Sequence, residues 1–128
     1  MVDTNFVIAY LRGNATALAV LRSLKTKQVS FSVVTYLEIV RGEALLERRK
    51  GASLGGFFKP YELLPLSPAA AQFVGREALR LGRGKTQNDL NDLAIAATAR
   101  EYDRTVLTEN LEDFKGVSGV RVQSWRDL

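Results

Sequence analysis

The chain has 128 residues, of which 46% are hydrophobic, and a formal net charge of +4 with a pI near 9.6. It contains no His and no Cys, which excludes thiolate nucleophiles, Ser-His-Asp triads, imidazole acid–base pairs and the usual zinc sites. The chemistry that remains is that of carboxylates and of metals bound through oxygen. The positive charge is compatible with a polyanionic partner.

Short strands alternate with helices along the whole chain, and no repeat or linker separates them. A glycine-rich break around Gly51, Gly55 and Gly56 follows the third helix. The predicted elements in chain order are a strand stub at 2–3, helices at 6–11 and 15–25, a strand at 29–32, a helix at 34–50, a strand at 61–66, helices at 68–81 and 90–102, and strands at 105–107 and 120–122. This alternation predicts an α/β fold with a parallel sheet covered on both faces, in a single domain at 1–128.

Four acidic residues that are remote in sequence each fall where a predicted strand has just ended or a helix is beginning. They are Asp3, Glu38, Asp92 and Asp113. The carboxyl ends of parallel strands open on one edge of a sheet, so folding would gather these side chains into one pocket. Two unit charges about 4 Å apart repel by roughly 4 kcal/mol near a protein surface, so the pocket requires protons or cations. Oxygen ligands alone point to Mg²⁺ or Mn²⁺.

Each acid also has a purely structural explanation. Asp3 begins a run of three helix-capping residues, and Asp113 can cap a short turn. Glu38 can pair with Arg41, and Asp92 lies in the first turn of its helix, where the helix dipole favours a negative charge. These explanations are independent of one another, whereas function requires all four acids at the same sheet edge. Their joint placement is therefore the informative observation.

Three other phosphate-handling motifs fail on inspection. Gly84-Lys85-Thr86 resembles the end of a P-loop, but Leu79 stands where the first glycine belongs and a helix precedes it instead of a strand. A phosphatase with an aspartyl nucleophile would carry a second Asp where this chain has Asn5. A receiver domain would need a phospho-accepting Asp after the third strand, and none is present there.

Five segments together carry a resemblance to a known family. They are Val-Asp-Thr-Asn-Phe-Val-Ile at 2–8, Ser-Val-Val-Thr-Tyr-Leu-Glu-Ile-Val-Arg-Gly at 32–42, Asn-Asp-Leu-Ala-Ile-Ala-Ala-Thr-Ala at 91–99, Val-Leu-Thr-Glu-Asn-Leu-Glu-Asp-Phe at 106–114, and Val-Gln-Ser-Trp at 122–125. In this order and spacing the chain resembles the PIN-domain ribonucleases, and among them the VapC-like toxins of toxin–antitoxin pairs. The resemblance implies a three-layer α/β/α sandwich around a central parallel sheet of five strands.

The resemblance also implies site residues, with Asp3, Glu38 and Asp92 as the metal-coordinating acids. A fourth acidic station follows a Thr-x-Asn/Asp turn, where this chain has Asn110, while Asp113 lies three residues later; either can serve. Neighbours that could bind water or phosphate, or substitute as a ligand, are Thr4, Asn5, Asp89 and Thr108. Basic residues that could contact RNA phosphates at the pocket rim, or could simply be solvated charges, are Arg12, Arg41, Arg83 and Lys85.

The activity implied is that of a Mg²⁺- or Mn²⁺-dependent endoribonuclease, which leaves 5′-phosphate and 3′-hydroxyl ends. The expected substrate is single-stranded or looped RNA, and the expected protein partners are a cognate antitoxin and a second copy of the chain in a homodimer. Two alternatives stay open. One is a PIN-like RNA-binding module without catalysis, since Asn110 stands where relatives place Asp, and the other is a housekeeping RNA-processing nuclease without an antitoxin.

The sequence also carries expectations about location and about its own start. No basic and apolar leader is present and no apolar run approaches about 20 residues, so we expect a soluble cytoplasmic protein with no membrane contact. Only two residues precede Asp3, whereas strands usually have about five or six. The central strand is therefore short, and the true start codon could lie upstream.

Overall fold

The computed structural model describes residues 1–50 and 55–128, with side chains at 1–42 and 56–128. This part of the chain forms α-helices and short strands in alternation. The helices are α1 (Thr4–Leu11), α2 (Ala15–Ser23), α3 (Val33–Lys50), α4 (Pro68–Leu81) and α5 (Gln87–Glu101). The strands are β1 (Ser30–Ser32), β2 (Glu62–Leu64), β3 (Val106–Thr108) and β4 (Val122–Ser124). The α/β class predicted from the alternation is confirmed.

The strands form two parallel pairs. Strand β1 pairs with β2, with Phe31 opposite Leu63, and β3 pairs with β4, with Leu107 opposite Gln123. All three residues of β1 and all three of β3 are buried, whereas β2 and β4 have exposed positions. Burial on both faces explains why β1 and β3 carry no alternating polar pattern, because such strands lie inside a covered sheet.

The first three residues connect the two strand pairs. The Val2 N–H donates to the Ser30 carbonyl (2.9 Å), and the Leu107 N–H donates to the Met1 carbonyl (2.7 Å). A parallel bridge also joins Val2 to Leu107. This stub is too short to be assigned as a strand, so the described residues show two parallel pairs of strands with the stub between them, and the five-stranded sheet stays a prediction.

The core consists of two apolar clusters. One packs α4 and α5 around β3 and includes Leu93 and Ile95. The other packs α1 and α2 against β1 and includes Phe6, Phe31 and Trp125. The Trp125 ring meets Phe6 edge-on, with ring centroids 5.4 Å apart, which ties the C-terminal end of the chain to α1. Truncating a buried aromatic residue of this kind to Ala typically costs about 3–5 kcal/mol.

Side-chain caps decide where the helices begin. Helix α1 starts at Thr4, two residues before the predicted start, because Asp3 accepts a hydrogen bond from the Phe6 N–H and thereby satisfies a free helix donor. Helix α5 starts three residues before the predicted start, because Thr86 is its cap and accepts from the Asp89 N–H. Asp92 therefore lies in the second turn of α5, whereas the sequence predicted the first turn.

Other predicted boundaries differ by one or two residues, and helix 68–81 matches α4. Helix 15–25 ends early, because Leu24 is extended. Strand 120–122 lies two residues later, because its register is set by pairing with β3. Strands 29–32, 61–66 and 105–107 correspond to β1, β2 and β3, and helix 34–50 to α3. Gly51, in the predicted break, lies outside the described residues. None of the described helices is long and apolar enough to cross a membrane.

Candidate active site

Asp3 lies between α1 and β3 and is almost fully buried, with 3% of its surface exposed. Its Oδ1 accepts from the Phe6 N–H at 3.0 Å, and its Oδ2 accepts from the Thr108 hydroxyl at 2.5 Å. Its backbone N–H donates to the Leu107 carbonyl. The predicted capping role and a place in the acidic site are therefore compatible, because one carboxylate oxygen serves the cap and the other turns toward the end of β3.

Glu38 lies in the second turn of α3 and is half-buried. Its Oε1 accepts from the Thr4 hydroxyl at 2.5 Å, and that hydroxyl also lies 3.1 Å from the hydroxyl of Thr35. The alternative ion pair with Arg41 is not formed between these described side chains. Glu38 is thus connected to the residue that directly follows Asp3, and α3 contributes its carboxylate to the same edge as α1.

Asp92 connects all four predicted acids electrostatically. It is half-buried on α5, and its pKa is raised to about 7, chiefly by that burial. Like charges disfavour the ionised form, and three further carboxylates raise the Asp92 pKa in the order Asp113, Glu38 and Asp3. The structure therefore brings the four acids into one electrostatic site, although they are remote in sequence.

The pKa of Asp3 is raised to about 6, again chiefly by burial. Hydrogen bonds from Thr108 and from the Phe6 N–H oppose this rise, whereas the charges of Asp113 and Glu109 add to it. Keeping these carboxylates ionised in the site therefore costs free energy, and bound protons or a cation would offset that cost.

Asp113 and Asn110 occupy different positions in the turn after β3. Asp113 lies in the 3-10 turn Leu111–Phe114, where it is half-buried and where burial raises its pKa. The Asn110 side chain is exposed and makes no capping hydrogen bond, and only its backbone N–H reaches the site, through the Thr108 hydroxyl at 3.0 Å. Of the two candidates for the fourth position, Asp113 is the one whose charge acts on Asp3 and Asp92.

Two of the other predicted site residues pair with each other. Arg83 donates to Asp89 Oδ1 through Nε at 2.9 Å and through Nη2 at 2.5 Å. Arg83 is therefore engaged at the site instead of standing free at the rim, and Asp89 has a cation of its own. The remaining predicted neighbours Asn5 and Lys85 are exposed.

A groove of about 1030 Å³ adjoins Glu38 and Thr4 between α1, α3 and the start of α5. Two of the predicted RNA contacts, Arg12 and Arg41, line it, and they form no ion pair with any side chain that the structure describes. The apolar part of the groove includes Ile8, Leu11 and Leu37, and the amides along it are Gln87, Asn88 and Asn91. These amides were not predicted from the sequence, although their cluster just after the Thr86 cap was a visible signal.

Glu109 is a further carboxylate that was not predicted from the sequence. It directly follows Thr108, contributes to the raised pKa of Asp3, and forms an ion pair with Arg126 at 2.8 Å. A signal was present in the sequence, because Glu109 lies two residues after the predicted strand 105–107. The family pattern pointed instead to Asn110 or Asp113 as the fourth position.

The donor chemistry of the site fits a hard divalent cation. All four side chains offer carboxylate oxygens, which Mg²⁺ and Mn²⁺ prefer, and their mutual repulsion is what a cation would offset. Within the residues that the structure describes, no group of three or more acidic side chains is close enough to hold a metal ion. This arrangement still suits Mg²⁺, which usually keeps several waters and binds through one or two carboxylates.

Comparison with known proteins gives a consistent result over nearly the whole chain. A family model described as PIN domain matches residues 1–120. Ribonuclease VapC10 of Mycobacterium tuberculosis is 32% identical over 115 residues, which cover 89% of this chain and 84% of that protein. The tRNA(fMet)-specific endonuclease VapC of Salmonella typhimurium is 28% identical over 127 residues, or 98% of this chain and 96% of the relative.

The same similarity is found among solved structures. The crystal structure of DNA bound VapBC from Salmonella typhimurium matches with a TM-score of 0.79 and 28% identity, over 98% of this chain and 96% of that chain. The fold and the sequence therefore identify the same group of proteins.

Proposed function

The chain belongs to the PIN domain family, and from this membership and the site's geometry we propose that it is a divalent-metal-dependent endoribonuclease, the toxin of a toxin–antitoxin pair. The observation that carries this proposal is that three carboxylates remote in sequence, those of Asp113, Glu38 and Asp3, lie near enough to Asp92 to raise its pKa. Relatives named ribonuclease and endonuclease support a hydrolytic nuclease. In this proposal the whole chain is one PIN domain, and the stub at residues 1–3 is the central strand of a five-stranded sheet.

We assign Asp3, Glu38 and Asp92 as the acids that would hold the metal, one or two of them directly and the others through bound water, and Asp113 to the fourth position. Mg²⁺ or Mn²⁺ bound there would lower the pKa of water and offset the negative charge of the phosphodiester. Thr4 and Thr108 orient the carboxylates of Glu38 and Asp3, because each donates its hydroxyl hydrogen to one of them.

The residues of this site also determine the proton transfer. With no histidine in the chain, a carboxylate takes the proton from the attacking water. The water oxygen then forms the new bond to phosphorus, the bond from phosphorus to the 3′ oxygen breaks, and the 3′ oxygen leaves with a proton. The products are a 5′-phosphate and a 3′-hydroxyl, whereas attack by the RNA 2′-hydroxyl would give a cyclic phosphate.

The groove gives a route for the substrate to the acids. Arg12 and Arg41 supply positive charge for RNA phosphates, and the apolar side chains of Ile8, Leu11 and Leu37 offer a surface on which bases can pack. A single-stranded or looped RNA fits this surface, because its bases are free to turn out of a helix. Since one relative is a tRNA(fMet)-specific endonuclease, initiator tRNA is the first substrate to test.

The test is cleavage of defined RNAs by the purified chain with Mg²⁺, with Mn²⁺ and with chelator. We expect metal-dependent cleavage with 5′-phosphate ends, identified by mass spectrometry of the fragments. Asp3→Asn and Asp92→Asn should each lose at least about a hundredfold in rate, since each removes a charged ligand of the metal that would stabilise the reacting phosphate. Asp103→Asn is the matched control, because Asp103 is exposed and its positive φ of 55° suits Asn.

The outcomes separate the functions. Full activity in Asp92→Asn would overturn the site assignment, and RNA binding without any cleavage would identify a binding module. Growth arrest on expression, relieved by a small protein encoded next to the gene, is expected for a toxin. Cleavage with no effect on growth would identify a housekeeping nuclease.

A further inference from the structure

Arg83 bridges two parts of the site through a single guanidinium group. On one side its Nε and Nη2 donate to Asp89 Oδ1. On the other side its Nη2 donates to the backbone carbonyl of Asp113 at 2.7 Å. The side chains of Arg83 and Asp89 are 20% and 29% exposed, so solvent only partly screens the pair. One arginine thus connects the first turn of α5 with the turn that carries Asp113.

Asp89 is itself fixed in place by hydrogen bonds to the loop that precedes α5. Its Oδ2 accepts from the Gly84 N–H at 2.6 Å, and its own N–H donates to the Thr86 cap at 3.1 Å. Gly84 has a φ of +88°, and a Cβ there would lie 3.2 Å from the Cβ of Ala78, so the residue must be Gly for this N–H to face Asp89. Both carboxylate oxygens of Asp89 are therefore engaged in fixing Arg83.

We propose that Arg83 is a positioning residue for the metal site. Asp89 anchors Arg83, and Arg83 holds Asp113 against the start of α5 so that Asp113 and Asp92 can share one divalent cation. This inference rests on the proposed function. It assigns Asp89 as the counter-ion of Arg83 instead of a substitute ligand, and it makes Arg83 part of the site's frame instead of an RNA contact at the rim.

Three other roles for Arg83 predict different results. If Arg83 acted only through its charge, removing it would strengthen cation binding, because a positive charge near carboxylates opposes a cation. If it only contacted RNA, metal affinity would not change. If it only stabilised the fold, the melting temperature would fall with metal affinity unchanged. Of these roles for Arg83, only the positioning role predicts that metal binding weakens when the positive charge of Arg83 is removed.

The chain contains a matched control for the contacts of Arg83 with Asp89 and with the Asp113 carbonyl, which we call the Arg83 clamp. One turn earlier on α4, Arg80 donates to both oxygens of Glu77 and to the backbone carbonyl of Gly116. The arrangement is similar, with an arginine between a carboxylate and a loop carbonyl, although Arg80 donates to both carboxylate oxygens and Arg83 to one, and none of the four site acids takes part in the Arg80 contacts. Arg80→Gln therefore disrupts a comparable clamp on the same loop, three residues beyond Asp113, without removing a contact of any site acid.

The experiment is calorimetric titration of the full chain with Mn²⁺, without RNA, together with thermal melting of each variant. Arg83→Gln and Arg83→Lys should each weaken Mn²⁺ binding by about tenfold or more, as substitutions behind metal ligands generally do, because Lys cannot bridge two acceptors as the guanidinium does. Asp89→Asn should weaken it in the same direction. Arg80→Gln should lower the melting temperature and leave Mn²⁺ affinity unchanged.

Unchanged or tighter Mn²⁺ binding by Arg83→Gln would overturn the inference, and so would wild-type affinity in Arg83→Lys or an equal loss in Arg80→Gln. Asp92→Asn distinguishes this failure from failure of the proposed function. If wild type binds Mn²⁺ and Asp92→Asn does not, the metal site stands whatever the Arg83 variants show. If wild type binds no Mn²⁺, both the site and the clamp are overturned. Should Arg83→Gln fail to fold, Arg83→Lys and Asp89→Asn decide the question.

Discussion

The Thr108 hydroxyl donates to Asp3 Oδ2 at 2.5 Å, across 105 positions of the chain. Through this contact the end of β3 fixes the carboxylate that begins α1. Because the other Asp3 oxygen is held by the Phe6 N–H, the side chain is oriented before any ligand arrives. Preorganisation of this kind keeps catalytic groups in place at the moment of reaction.

Thr108→Val should therefore affect activity more than stability. Val keeps the shape of Thr but leaves Asp3 and the Asn110 N–H without their partner. We expect a fall in cleavage rate of about tenfold or more and a loss of about 1–2 kcal/mol in unfolding free energy, measured by RNA cleavage and by urea unfolding. Thr98→Val, which removes a buried hydroxyl that donates to the Ala94 carbonyl within α5, should leave the cleavage rate unchanged. Equal rates in wild type and Thr108→Val would contradict the orienting role.

Asp92→Asn should stabilise the metal-free protein at neutral pH. The folded pKa of Asp92 is about 7, against an ordinary value of 3.8, so between these values the native state binds more protons than the unfolded state. Stability then falls as the pH rises from about 4 to about 7. Asn carries no charge, so we expect a gain of about 1 kcal/mol, or roughly 3–5 °C in Tm, at pH 8 and none at pH 4.

The measurement for Asp92→Asn is thermal unfolding in chelator at both pH values. Asp103→Asn, which removes an exposed carboxylate elsewhere, should show no such pH-dependent gain. A lower Tm for Asp92→Asn at pH 8 would mean that the like charges around Asp92 do not strain the fold.

Glu77 should determine part of the acid stability. Its side chain is 7% exposed, and its pKa is lowered to about 2, first by hydrogen bonds from Arg80 and then by the Ser118 N–H. A depressed carboxylate pKa stabilises the fold above the ordinary value near 4.5 and loses that contribution as the pH falls toward 2. Glu77→Gln should lower the unfolding free energy by about 1–3 kcal/mol at pH 7. This difference from wild type should become smaller as the pH falls.

The control for Glu77 is Glu112→Gln, because the Glu112 carboxylate lies 3.8 Å from the Lys115 ammonium and the two side chains are 79% and 75% exposed. Exposed pairs of this kind contribute about 0–1 kcal/mol. Urea unfolding at pH 7, 4 and 2.5 compares the variants. If the difference in unfolding free energy between Glu77→Gln and wild type stays constant over this pH range, the ionised carboxylate of Glu77 is not the source of that difference.

Arg12→Gln and Arg41→Gln should weaken RNA binding without affecting the metal site. Both residues line the groove, and removing one arginine from a phosphate of single-stranded RNA should lower the slope of log K against log salt by about 0.7. We expect a higher KM, a nearly unchanged kcat and an unchanged Mn²⁺ affinity. Arg22→Gln, an exposed change on α2 outside the groove, serves as the control. If the slope of log K against log salt is identical to that of wild type, Arg12 and Arg41 do not contact RNA phosphates.

Much of this molecule was predictable from its sequence, and the family resemblance is confirmed by the match over residues 1–120. Helix α4 agreed at both ends because Ser67 caps it, Pro68 opens it and Gly82 closes it with a φ of +63°. Helix α5 was less predictable, because Thr86, Asp89 and the residues between them are all good capping or first-turn residues. Only the folded chain selects one of them.

The site was predictable in composition but not in detail. That strand ends gather acids follows from sheet geometry, whereas the pairing of Arg83 with Asp89 depends on the backbone of Gly84. The choice between Asn110 and Asp113 depends in the same way on how a 3-10 turn rotates its side chains. The homodimer stays a prediction.

The contact between Trp125 and Phe6 gives the chain a built-in optical probe. Trp125 is the only tryptophan, it is fully buried, and its ring rests on a residue three positions after Asp3. Indole emission responds to small changes in its surroundings, so titration with Mg²⁺ can be followed by fluorescence on the unlabelled protein. Each variant above can then be compared under identical conditions, in a cuvette and without any attached dye.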